Sequence, residues 1–108
     1  MSKNKFIGSW RIRKMELWDQ DFVDLDGPGY IQFKSDKTGE FHFGAVQGWM
    51  DCRYVKREGK ETVEFSWEGT DESDPTCGRG WATLEEHCIQ GRLFFHMGDN
   101  SSFVANKQ

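Results

Sequence analysis

Apolar and polar residues alternate along most of this chain with the two-residue period of a half-buried strand, and helical periodicity is nearly absent. The cleanest stretch runs from Thr62 to Glu68, where Val63, Phe65 and Trp67 share one face and Glu64, Ser66 and Glu68 the other. Phe41, Phe43 and Ala45 repeat the pattern against Glu40 and His42. The alternation predicts strands over 8–18, 30–35, 39–47, 49–57, 60–68, 80–86, 88–97 and 102–106. Between them, Asp36-Lys37-Thr38-Gly39 and Arg57-Glu58-Gly59-Lys60 carry hairpin chemistry, with glycine available where a positive φ is needed. Successive strands are therefore antiparallel. A flat meander of this length would expose two edges, and closure removes both. The expected fold is all-β: a small antiparallel up-and-down β-barrel of about eight strands, forming one domain over residues 1–108.

Gly8, Ser9 and Trp10 open the first strand and resemble the GxW signature of the calycins, the lipocalin, fatty-acid-binding and avidin-like barrels. That resemblance implies a calycin-like barrel whose closed end is plugged by Trp10 and whose other end admits a small ligand. The chain is too short for the C-terminal helix of a lipocalin and has avidin-like proportions. The segments Trp18 to Asp24 and Cys77 to Ala82 also resemble those of short bacterial proteins and imply no activity.

Composition narrows the function classes. A net charge of −4 argues against a nucleic-acid partner, since phosphate binding needs clustered Lys and Arg. No apolar run is long enough for a membrane span or a signal peptide. Three cysteines, Cys52, Cys77 and Cys88, contain no CxxC pair, and their odd number fits a reducing, cytoplasmic setting. Asp19, Asp21, Asp24 and Asp26 lack the glycine and distal glutamate of an EF-hand, and His87-Cys88 with Cys77 matches no zinc spacing. No metal and no cofactor is expected.

Alternating connections place the loops near 19–29, 47–48, 69–79 and 98–101 at one end of the barrel. They carry Asp19, Asp21, Asp24, Asp26, Asp71, Glu72, Asp74 and Asp99 against a single base, Arg79. The other end has mixed charge and tight turns and reads as the closed base. Four of the five tryptophans, Trp18, Trp49, Trp67 and Trp81, fall near the acidic end with Tyr30, Phe95 and His96. Aromatic walls under a carboxylate rim suit a cationic or amphipathic small molecule. The expected ligand residues are thus Trp18, Tyr30, Trp49, Trp67, Trp81, Phe95, His96, Asp24, Asp26 and Asp74. Inward Phe33, Phe41, Phe43, Phe65 and Trp67 are bulky enough to fill an eight-stranded interior. An alternative is a homodimer or protein partner engaging outward aromatics, since Trp49, Trp81 and Phe94 fall out of phase with the inward set. A second is a small enzyme using His96 with a loop carboxylate; no catalytic residue is otherwise indicated.

Overall fold

The computed structural model describes residues 4–108. Eight strands follow one another around a closed antiparallel barrel in which each pairs with its sequence neighbours and the last pairs with the first. They are β1 (Gly8–Met15), β2 (Tyr30–Phe33), β3 (Thr38–Phe43), β4 (Val46–Arg57), β5 (Lys60–Asp71), β6 (Asp74–Leu84), β7 (Cys88–Phe95) and β8 (Asn100–Lys107). A four-residue helix, α1 (Gln20–Val23), lies between β1 and β2. Among the described residues no helix is long and apolar enough to cross a membrane.

The inward rows explain why these sequences close into so narrow a barrel. A large ring repeatedly lies opposite a glycine on the next strand: Phe33 with Gly39, Phe41 with Gly48, Phe65 with Gly80, Trp67 with Gly78, and Phe103 with Gly91. Gly48, Gly78 and Gly80 leave room for their partners' rings, whereas Gly39 and Gly91 make room for other neighbours. A Cβ on Gly48 would run into the Phe41 ring, and one on Gly80 into the Phe65 ring. The interior is consequently filled. Phe33, Phe41, Phe43, Phe65 and Trp67 are all buried, and Phe41 meets Trp67 edge-on at 5.0 Å between centroids. Tyr54 and Cys52 share this core, and burial pushes both pKa values up to about 12, so each stays protonated.

The base is closed by the first described residues. Phe6 packs edge-on against Phe33 at 5.7 Å and also meets Tyr54, while the Trp10 indole N–H donates to the Phe6 carbonyl at 2.9 Å. Trp10 is 97 % shielded from solvent, being 3 % exposed, and Lys107 Nζ lies 4.7 Å from its ring centroid. Around this end the charges are mixed, as the Lys60–Glu85 pair illustrates.

Two predicted loops are strand. The connection expected over 69–79 is a turn at Glu72 and Ser73 alone, because β5 runs to Asp71 and β6 starts at Asp74. The break expected at Gln47-Gly48 falls instead at Gly44-Ala45. The acidic end therefore has two-residue turns as tight as those of the base, and only the segment from Glu16 to Gly29 is long. A bulge near Lys14 is present: the β1–β8 register shifts between Ile12 and Lys14, which lets both Ile12 and Met15 face the core.

Candidate functional site

The long connection after β1 shapes the acidic end. Asp19 caps α1 by accepting from the Phe22 N–H at 3.0 Å, an N-cap that turns four residues into one helical turn. The turn lays Val23 into the core and Phe22 over Gly44, whose φ of 56° and missing Cβ leave space for the ring. The helix is pinned by backbone bonds as well, since Gly44 N–H donates to the Val23 carbonyl at 3.0 Å.

Beside this helix is a pit of about 290 Å³. Trp18, Phe22, Val46 and Phe95 supply its apolar surface, and Asp71, Asp99, Thr76 and His96 its polar surface. The rings are continuous with the core: Trp18 lies 5.1 Å from Phe43 and 6.1 Å from Phe95, and Phe95 meets Trp67 edge-on at 5.1 Å. Among the described residues no Lys or Arg lines it. Nor does any occur in the segments that form this end, 17–29, 43–46, 71–74 and 95–100, which hold the eight carboxylates from Asp19 to Asp99. Arg79, expected among those loops, sits instead on the outer face of β6 opposite Ser66.

Of the ten expected ligand residues, Trp18, Phe95 and His96 come together in the pit, with Trp67 buried directly beneath Phe95. The others lie elsewhere. Trp49 and Trp81 alternate with the inward Gly48, Met50, Gly80 and Ala82 and so face outward, Trp49 being half exposed. Tyr30 is also on the outer face, where its hydroxyl donates to Glu40 at 2.8 Å; burial, then that carboxylate, push its pKa up to about 12. Asp26 is exposed with an oxygen 3.9 Å from His42 Nε2, and Asp74 is exposed at the start of β6. Sequence reasoning missed Phe22, Val46 and Thr76 as pit residues and placed Asp71 and Asp99 at this end without choosing them as ligand residues. The Asp19 cap signal marks Phe22, and correct placement of the Glu72-Ser73 turn brings in Asp71 and Thr76.

Asp24 has a different task. Its carboxylate takes two bonds from Arg11, at 2.6 and 2.9 Å, one from the Gly29 N–H at 2.8 Å and one from Gln20 at 3.0 Å. It ties the long connection to β1. The Arg11 guanidinium, followed by the Gly29 N–H, holds the Asp24 pKa well below the usual carboxylate range. A depressed folded-state pKa contributes stability above the unfolded value of roughly 4 and loses it as pH falls through the folded value. Asp24→Asn is expected to cost about 2 kcal/mol at pH 7, allowing for the partial exposure of the pair. The Tm gap to wild type, roughly 10 °C, should shrink progressively below about pH 4 in thermal melts.

The His96 side chain makes no hydrogen bond or ion pair to a carboxylate among the described residues; its backbone N–H donates to the Cys77 carbonyl at 2.7 Å. Among the described residues no group of three or more His, Cys, Asp or Glu side chains is gathered to hold a metal. Fold and pit together define a small filled β-barrel with a recess at one end. Comparison with protein-family models, with curated proteins and with solved structures gives no match to this chain.

Proposed function

We propose that the protein is a non-catalytic binding barrel that takes a small organic cation into the recess at its acidic end. The observation that carries this reading is the joining of Trp18, Phe22 and Phe95 with Asp71 and Asp99 around one pit that, among the described residues, no Lys or Arg lines. Ring faces attract a cation by about 0.5–2 kcal/mol each, and the surrounding carboxylates raise its local concentration. The filled interior limits the ligand to the end of the barrel, where about 290 Å³ suits a single substituted ring or a small amphipathic amine. The calycin resemblance of Gly8-Ser9-Trp10 supports the same orientation, with Trp10 at the base and the ligand at the opposite end.

Benzyltrimethylammonium and its anionic counterpart phenylacetate separate charge from shape. Saturable binding of the cation is expected in calorimetry or tryptophan fluorescence, weakening as salt is raised. At ~100 times the dissociation constant it should add about 2.7 kcal/mol to stability in a thermal-shift measurement. Asp71→Asn with Asp99→Asn should weaken it several-fold. Displacement of the cation by phenylacetate from this pit, or no saturation by the cation at millimolar concentration, would overturn the reading.

A further inference from the structure

We propose that the outer face of β4 to β7 carries a second site of opposite sign, a groove for a small aromatic anion. The strands there are long, and the inward Gly69, Gly78 and Gly80 let neighbouring backbones approach more closely than any Cβ would allow. On the outer surface the register sets two rows side by side, Asp51-Ser66-Arg79-Phe94 and Arg53-Glu64-Trp81-Arg92. Ser66 is the small residue among them, and it forms the floor of a groove of about 460 Å³.

The groove's charges leave donors uncommitted. Three arginines, Arg53, Arg57 and Arg79, line it with two carboxylates, Asp51 and Glu64, a local balance of +1 on a chain of net −4. Glu64 is taken by Arg57. Arg92, at the groove's edge, is held by Glu16 at 3.0 Å and Asn100 at 2.8 Å. Arg53 and Arg79 make no ion pair and no side-chain hydrogen bond among the described residues. Strand spacing puts their Cα atoms about 12 Å apart across Ser66, a span that two extended arginine side chains close from opposite sides. Guanidinium forks match a carboxylate or phosphate bidentately. Trp81 and Phe94, both half-buried, flank that position and offer ring surface to a flat apolar body. The chemistry in common is a phosphate or carboxylate attached to one aromatic ring, a class that the acidic end would repel.

Phenyl phosphate, phenylacetate and inorganic phosphate are the probes, titrated into the ¹⁵N-labelled full chain. Phenyl phosphate or phenylacetate is expected to move the Arg53 and Arg79 Nε–H and Trp81 indole N–H resonances along saturating curves, and the stronger of the two identifies the head group. Inorganic phosphate should bind several-fold more weakly for want of the ring. Arg53→Gln and Arg79→Gln should each weaken the better probe about ten-fold or more, whereas Arg13→Gln, outside the groove, should change it less than two-fold. Should a charge variant disturb the whole spectrum, Ser66→Leu fills the floor without touching a charge and should abolish binding. Shifts that stay linear to ~20 mM, that spread evenly over all arginines, or that survive these substitutions would overturn the proposal.

Discussion

Trp67→Ala is expected to remove about 3–5 kcal/mol of stability, read as a fall in denaturant midpoint at unchanged slope. The indole is buried at 4 % exposure between Phe41 and Phe95, whose centroids lie 5.0 and 5.1 Å away in edge-on contact. Alanine would empty the middle of the ring stack that joins core to pit. The glycine opposite, Gly78, has no side chain with which to refill the space. Trp67→Phe should behave very differently. The indole N–H is buried without a hydrogen-bond partner, and an unsatisfied buried donor costs about 1–3 kcal/mol. Phenylalanine gives up some packing but removes that donor, so the net change should stay within about 1 kcal/mol. If Trp67→Phe proves as damaging as Trp67→Ala, the N–H is satisfied in solution and the stack alone does not account for the site.

The same residue shows how much of the fold was legible. Val63, Phe65 and Trp67 alternate with polar neighbours, and period two assigns them inward without ambiguity. The hairpin at Glu58-Gly59 carries the turn residues its backbone needs, with φ of 50° and 81°, whereas in the predicted Asp36 to Gly39 turn Lys37 takes the positive φ, 66°, and Gly39 lies inside β3. The turn between β5 and β6 hides because Glu72 and Ser73 take φ of 49° and 75° with no glycine to announce it. The real signal lay in a negative. Gly69, Pro75 and Gly78 read as loop punctuation, yet both glycines are inward strand positions and Pro75 stands near the start of a strand, where its missing N–H is tolerated. A glycine spaced to face a ring on the adjacent strand is a barrel signal, and one sequence read strand by strand does not reveal which strands are adjacent.

The site was less legible than the fold for a related reason. Charge survives a shift of several residues, so the acidic character of one end followed from loop order alone. Side-chain direction does not survive a shift of one residue: Trp49 and Trp81 lie near predicted rim positions but face outward, as their phase against the inward set indicated. Phe22 owes its place to a single helical turn, too short to produce a period.

Gly78→Ala tests whether close strand approach is what bends the barrel. A Cβ there would collide with the Phe94 carbonyl oxygen of β7 and come within 2.8 Å of its carbon and 3.0 Å of Trp67 Nε1. Neither neighbour is the free end of a flexible side chain. To admit one methyl group, β7 must draw away from β6, and the pairing of Gly78 with Phe95 at the floor of the pit is lost. A cost of about 3 kcal/mol or more is expected, at the upper end for overpacking. Two other glycines separate this mechanism from backbone conformation. Gly59 has nothing within 4 Å of its added Cβ but a φ of 81°, so Gly59→Ala should cost about 1–2 kcal/mol through the backbone alone. Gly98 has no positive φ, and its nearest neighbour, 3.3 Å away, is the Phe95 side chain at the loop, so Gly98→Ala should be close to neutral. Thermal melts giving Gly78→Ala no larger a loss than Gly59→Ala would mean that β6 and β7 lie farther apart in solution. The barrel's curvature would then have to come from the rings rather than from the glycines they face.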